Sequence, residues 1–191
     1  MMSRIDLADV LRRTVCDLYS NLLTRPTGAA VRTAIEALLT DHGTRPAASN
    51  SSVAVLDFTH VRLLDFSCAD EIVGKLLLRT AGRDATLPSY LVFRGLHDDH
   101  IDPIETVLER YALALVAHGD DGAMLFGTVD ADERAAWEVV RRVGRVRAER
   151  VASELPADPA HAANVLARLA ERRLLMRVDD EYLLIDVPLA A

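Results

Sequence analysis

The chain has 191 residues, of which 50% are hydrophobic and 5% aromatic, and its 22 basic and 29 acidic side chains give a formal net charge of −7. The apolar fraction excludes a disordered chain, and no stretch reaches the ~18 to 20 apolar residues of a membrane span. The acidic total excludes a protein that coats nucleic acid without sequence preference. The first residues lack the apolar block of a secretory signal, and Cys16 and Cys68 form no disulfide framework and no CxxC zinc pair. We therefore expect a cytoplasmic protein with reduced thiols.

The first two thirds of the chain alternate between helical and strand patterns. Apolar residues at three- and four-residue intervals predict helices over residues 5–18, 28–39, 67–81 and 101–117. Short apolar, partly β-branched runs predict strands over residues 53–58, 90–93 and 123–126. This alternation predicts an α/β domain over residues 1–128, with right-handed crossovers and helices packed on a small sheet.

The pattern changes after residue 128. Periodicity predicts helices over residues 131–143, 148–155 and 159–173, the last with Asp158 as its N-cap and Pro159 as its first residue. Two strands are expected over residues 174–178 and 182–187. Three helices followed by a hairpin is the order of a winged helix, so a second domain is predicted over residues 129–191.

The segment VAVLDFTHVRLLDFSCADEIVGKLL resembles the centre of the STAS fold, and more closely the bacterial STAS-like branch. Asp65 and Ser67 match the Asp-x-Ser positions that follow a buried strand in the anti-sigma-factor antagonists. Ser67 matches the serine that is phosphorylated in those proteins, while Phe66 and Cys68 replace the family's first serine and its glycine. The resemblance implies a STAS-like fold and a phospho-switch made of Ser67 and Asp65.

Physical chemistry offers two roles for Ser67. A phosphate there would add about −1.5 to −2 charges at a helix N-terminus, where the helix dipole tolerates them. Asp65, Asp70 and Glu71 would oppose the phosphate. Alternatively, Ser67 is only an N-cap that accepts the backbone N–H of residue 69 or 70.

The segment GRVRAERVASELPADPAHAANVLARLAERRLLMRVDDEYLLI is similar to the core of winged helix-turn-helix transcription factors. This resemblance implies DNA binding through the second helix of the motif. On a 3.6-residue period, four polar side chains of this helix fall within about 80° of one another: His161, Asn164, Arg168 and Arg172. Asparagine pairs with adenine, and arginine with guanine or phosphate. Further phosphate contacts are assigned to Arg147, Arg150 and Arg177.

Charge leaves the role of this second domain open. Residues 1–140 carry 13 basic and 21 acidic residues, whereas residues 141–191 carry 9 and 8, a net charge of +1. Asp179, Asp180 and Glu181, however, stand at the wing tip, where a DNA-binding wing usually carries arginine or lysine. The alternative is a winged helix used for packing or protein contact.

Three further clusters have two interpretations each. The run His97-Asp98-Asp99-His100 with Asp102 has metal-ligand chemistry, but it also fits a solvated loop before a helix. The run Arg25-Pro26-Thr27-Gly28 with Arg32 fits an anion site at a helix N-terminus or a structural turn. Cys68 is either a thiol of lowered pKa near a helix start or a buried small residue.

Together these patterns predict a non-enzymatic bacterial signalling or transcriptional regulator without cofactor, metal or membrane partner. The STAS-like domain would respond to phosphorylation or to a protein partner, a kinase or switch protein, and the winged helix would contact DNA. The amphipathic segment over residues 5–18 would cover the sheet or form a homodimer contact. The alternative is a protein-interaction adaptor that does not bind DNA and works with a histidine-kinase-like ATPase.

Overall fold

The computed structural model describes residues 2–15, 21–43, 52–82, 87–155 and 157–185. The chain divides into two compact units, unit 1 over Met1–Gly127 and unit 2 over Thr128–Ala191. The elements of unit 1 are β1 (Met2–Asp6), α1 (Leu7–Thr14), β2 (Asn21–Leu22), α2 (Arg25–Gly43), β3 (Val53–Asp57), β4 (Leu63–Leu64), α3 (Phe66–Ala69), a π-helical turn (Asp70–Gly74), α4 (Lys75–Ala81), β5 (Tyr90–Arg94), α5 (Asp98–Arg110), β6 (Ala114–Gly119) and β7 (Gly122–Gly127). Those of unit 2 are α6 (Ala131–Val143), β8 (Arg145–Val146), α7 (Ala148–Glu154), α8 (Pro159–Glu171), β9 (Met176–Val178) and β10 (Glu181–Leu183).

Unit 1 contains a five-stranded sheet in the order β1-β3-β5-β6-β7. Neighbouring strands from β1 to β6 are parallel, and β7 returns antiparallel to β6 as a hairpin. A second, two-stranded parallel sheet pairs β2 with β4. The predicted α/β class is therefore confirmed as a mixed fold with a mostly parallel central sheet.

The core of unit 1 lies between this sheet and the helices. All five residues of β3 are buried, as expected for a central parallel strand. Leu56 and Phe93, which are register partners on β3 and β5, belong to the same hydrophobic cluster as Ile72 and Leu108. Burying a large apolar side chain in this way stabilises the folded state by on the order of 2 kcal/mol.

The helix predicted over residues 5–18 is wrong at its start. Ile5 and Asp6 belong to β1, where they pair with Leu56 and Asp57 of β3. The Asp6 side chain accepts the backbone N–H groups of Ala8 and Asp9, so that α1 begins one residue later. Ile5 has the apolar spacing of the helix that follows it, although it belongs to the strand. Periodicity alone therefore places the start of the helix too early. Residues 16–18 lie outside the described chain.

The helix predicted over residues 101–117 is two elements. It begins earlier, at Asp98, and ends at Arg110, after which Ala112 takes a left-handed φ of 51°. The chain then enters β6, whose Leu115 pairs with Phe126 of β7. Apolar residues at 108, 111 and 115 have helical spacing, but pairing with β5 and β7 fixes the strand.

Unit 2 consists of three helices and an antiparallel three-stranded sheet in the order β8-β10-β9. The two predicted strands are present but shorter, and the short stretch between the first two predicted helices forms a third strand, β8. Asp158 caps α8 by accepting the backbone N–H of Ala160. Trp137 is fully buried and donates its indole N–H to the Leu174 carbonyl.

Within the described residues, no helix is both long enough and apolar enough to cross a membrane.

Candidate functional site

The candidate phosphorylation site lies where β4 leads into α3. The pairing of β2 with β4 holds this junction, and the Asp65 backbone N–H donates to the Leu22 carbonyl at 2.8 Å. The Asp65 side chain accepts the Cys68 backbone N–H at 2.8 Å and is the N-cap of α3. The prediction that Ser67 caps the helix is therefore wrong, because the cap lies two residues earlier.

Ser67 is half-buried at the second position of α3. Its Oγ donates to the two carboxylate oxygens of Asp65, at 2.9 and 3.1 Å. The structure thus brings together the two residues of the predicted phospho-switch. The Asp65 carboxylate accepts hydrogen bonds from both the Ser67 hydroxyl and the Cys68 backbone N–H. A chemical change at Ser67 therefore affects the cap of α3.

Cys68 is fully buried, and its thiol donates to the Thr24 carbonyl at 3.0 Å. Burial, reinforced by the nearby Asp65 carboxylate, raises the pKa of the Cys68 thiol to about 12. Gly28 of α2 packs against it so closely that a Cβ at that position would lie 2.9 Å from the Cys68 Cα. The hypothesis of a thiol with lowered pKa is contradicted, and Cys68 acts as a small packing residue.

Two buried carboxylates lie one helical turn beyond Ser67. Asp70 and Glu71 are each 3% exposed, and Arg25 of α2 donates to both, at 2.7 and 2.8 Å. Burial alone would raise the pKa of Asp70, but hydrogen bonds from Arg25 and Tyr111 outweigh it and hold the pKa below its ordinary value.

Glu71 has additional cationic partners. Lys75 pairs with it at 2.5 Å and Arg32 at 3.4 Å, so hydrogen bonds again hold the pKa of Glu71 down against the effect of burial. The arginines predicted as an anion site bind these carboxylates of the same unit instead, and α2 begins at Arg25 rather than at Gly28. The negative charges expected to oppose a phosphate on Ser67 are therefore largely compensated, except for that of Asp65.

The His97-Asp98-Asp99-His100 run forms the start of α5. His97 is exposed, whereas His100 is fully buried with its ring centroid 3.6 Å from that of His97. The solvated-loop interpretation is therefore wrong for His100. Burial, together with the neighbouring His97, lowers the pKa of His100 to about 4. In the described parts of the chain, no group of three or more His, Cys, Asp or Glu residues is placed to hold a metal ion.

The polar face predicted for DNA lies against the N-terminus of α6. Arg168 pairs with Asp130 at 2.9 Å and with Glu133 at 3.5 Å. Arg172 pairs with Glu133 at 2.6 Å. This row of contacts between α8 and the first turn of α6 is called the α6–α8 latch below, and it also includes the His161–Asp132 pair at 2.9 Å.

Several polar side chains of α8 stay exposed despite the latch. Asn164 is exposed, and within the described residues its side chain makes no hydrogen bond or ion pair. Arg168 and His161 pair with acids of α6 while their side chains remain 47% and 50% exposed. The exposed surface of α8 therefore carries one amide, the acid Glu171 and one arginine whose charge is paired.

The other predicted phosphate contacts are also engaged. Arg147 lies 3.6 Å from Glu181, and Arg150 pairs with Glu154 at 2.6 Å. Arg177 donates to the Asp179 carbonyl, and its guanidinium lies 5.7 Å from the Tyr182 ring centroid.

The boundary between the units changes the charge of the second one. Because unit 2 begins at Thr128, it includes the acids at the start of α6, and residues 128–191 carry ten basic and twelve acidic side chains. The net charge of unit 2 is therefore −2, in contrast to the +1 of residues 141–191, a range that begins inside α6.

A scan against known protein families finds no match to this chain, and no curated protein is significantly similar to it.

Proposed function

We propose that this chain is a non-enzymatic bacterial signalling adaptor. Unit 1 receives a phosphate on Ser67 from a protein kinase of the histidine-kinase-like ATPase class, and unit 2 binds a protein partner. The observation that carries the proposal is the half-buried Ser67 hydroxyl, held 2.9 and 3.1 Å from the Asp65 carboxylate at the start of a helix. The resemblance of this segment to STAS-like domains agrees with it.

The geometry couples phosphorylation to local structure. The kinase transfers the γ-phosphoryl group of ATP to Ser67 Oγ, and the hydroxyl proton leaves to a base of the kinase. The product brings about −1.5 to −2 charges next to the Asp65 carboxylate, which had accepted the lost proton's hydrogen bond. Because like charges repel at this distance, Asp65 must turn away and release the Cys68 N–H. The phosphate itself then takes the favourable position at the helix N-terminus.

Phosphorylation is tested on the full chain. We expect intact-mass and phosphopeptide analysis, after incubation with ATP and the soluble kinases of the native host, to find one phosphate on Ser67. The Ser67→Ala variant should take up none, and Ser153→Ala, a matched change at an exposed serine of α7, should behave as the unmodified chain. Equal phosphorylation of the unmodified chain and of Ser67→Ala would refute this role of Ser67.

The choice of a protein partner for unit 2 rests on the α6–α8 latch. Arg168 and Arg172, which were expected to contact bases or phosphates, are paired with acids of the same unit, and unit 2 has a net charge of −2. Phosphate contacts by Arg and Lys supply most non-specific DNA affinity. Such a surface suits contact with another protein.

DNA binding is the second candidate function. The order of three helices and an antiparallel sheet in unit 2 favours it, because winged helices share this order. Fluorescence anisotropy with random duplex DNA separates the two functions. Affinity that falls steeply between about 50 and 200 mM salt, and is lost in Arg168→Ala with Arg172→Ala, would favour DNA. An absence of binding at the lower salt concentration would favour the adaptor.

A further inference from the structure

A small pocket opens between the three helices of unit 2. Its walls come from α6 (Ala135), α7 (Val151) and α8 (Ala162 and Val165), and its volume is about 220 Å³. The voids of well-packed protein interiors rarely exceed the size of a water molecule. A volume of ~150 Å³ holds a benzene molecule in an apolar cavity, so this pocket has room for one large apolar side chain.

Small side chains create this space. Alanines line it on two helices, at positions where a leucine would fill the volume, and Val151 and Val165 form a buried apolar floor. Water in such a pocket finds few hydrogen-bond partners, and its displacement by an apolar group is favourable.

The rim of the pocket is acidic. Asp132 lines the pocket with its side chain 63% exposed and pairs with His161, which also lines the pocket. No arginine or lysine is among the lining residues. The mouth therefore complements a positive charge placed beside an apolar group.

We propose that this pocket binds an apolar anchor of a protein partner, a leucine or residue of similar size, followed by a lysine or arginine that pairs with Asp132. This inference rests on the proposed protein-binding function of unit 2 and names the chemistry of its partner. The anchor enters between α6 and α8, and the basic residue remains at the exposed rim. An apolar anchor in a pocket beside a polar rim is the usual arrangement of an interaction hot spot.

The probes are three capped dipeptides added to the full chain: acetyl-Leu-Lys-amide, acetyl-Leu-Glu-amide and acetyl-Ala-Lys-amide. Methyl NMR resonances of Ala162 and Val165 report on the pocket directly. We expect the Leu-Lys peptide to shift them with a Kd on the order of 10 mM, as a few buried atoms allow. Replacing leucine by alanine should weaken binding about tenfold because the anchor is lost. Replacing lysine by glutamate should weaken it about threefold because the rim pair is exposed.

Matched variants locate the binding. Ala135→Leu fills the pocket and should abolish the shifts, whereas Ala167→Leu makes the same change at a partly exposed position of α8 outside the pocket and should preserve them. Asp132→Asn should reduce the difference between the Leu-Lys and Leu-Glu peptides. The peptide series on the unmodified chain tests the proposal even if a variant fails to fold.

Equal shifts with the Leu-Lys and Ala-Lys peptides, or shifts that survive Ala135→Leu, would overturn the pocket as an anchor site. The absence of any shift at about 50 mM peptide would do the same. Phosphorylation of Ser67 is measured separately, so failure of the peptide test leaves the role of unit 1 intact.

Discussion

Releasing the α6–α8 latch should raise the affinity of unit 2 for DNA. The perturbation is the double change Asp130→Asn with Asp132→Asn, which removes two acids facing Arg168 and His161. Asparagine caps helices as well as aspartate does, so α6 keeps its N-cap. Glu133, which is buried and part of the capping box, is left unchanged.

The magnitude follows from the number of cations that the change releases. Each phosphate contact contributes a slope of about −0.9 to the dependence of log Kobs on log salt. The change leaves Arg168 only its 3.5 Å contact with Glu133, so one cation becomes available and the slope steepens by about 1. A slope steeper by about 1 raises the ratio of the affinities at 50 and 200 mM salt by about three- to fourfold for the variant.

Fluorescence anisotropy with random duplex DNA measures this gain. Asp179→Asn with Asp180→Asn is the matched control, because it removes two exposed acids of the same unit that are not part of the latch. We expect a clearly smaller gain in the control, and loss of the gain when Arg168→Ala is added to the latch variant. The reasoning is refuted if both double variants gain equally, or if the gain persists without Arg168.

Three further predictions concern unit 1. Because His100 has a pKa of about 4 when folded against 6.5 for the free side chain, the unfolded chain binds its proton first as pH falls. The His100 contribution to the free energy of unfolding should be constant above pH 6.5 and should fall by about 3 kcal/mol between pH 6.5 and pH 4. Urea denaturation across this range measures the loss, which should be absent in His100→Gln. Asp70→Asn removes the charge of a buried carboxylate that accepts hydrogen bonds from Arg25 and Tyr111, and it should cost about 2 kcal/mol in the same assay. Asp120→Asn at an exposed turn should change stability by less than about 0.5 kcal/mol. In a Cys16→Ser background, Cys68 should resist a thiol reagent at pH 8 until the chain is unfolded; rapid labelling of the folded chain would contradict its burial and raised pKa.

The elements of the α/β fold follow from local patterns except where a strand and a helix meet. The spacing of Ile5 and Ala8 is compatible with one helix, and only the pairing of Ile5 with Leu56, 51 positions away, makes it part of a strand. The same holds for Leu115, which has helical spacing but pairs with Phe126. Strand pairing is a long-range property that periodicity within one segment does not report.

The candidate sites show a similar division. Asp65 and Ser67 could be paired from the sequence because they are only two residues apart, and their side chains form a hydrogen bond in the structure. The pairing of Arg168 with Asp130 spans 38 residues and arises from the packing of α8 on α6. A helical wheel places Arg168 on a polar face, but it does not reveal what faces that side. The capping-box pattern of Asp130 and Glu133 was the available signal that acids gather at the start of α6.

The π-helical turn at Asp70–Gly74 inserts one residue into the helical segment after β4. The Lys75 N–H donates to the Asp70 carbonyl, five residues back, so this turn holds one residue more than regular α-helical winding. At its end, a Cβ at Gly74 would lie 2.8 Å from Val107 Cγ1, so the turn packs closely against α5. Deleting one residue of the turn would restore regular winding and rotate the side chains of α4 by about 100° around the helix axis. The extra residue therefore sets which face of α4 meets the core.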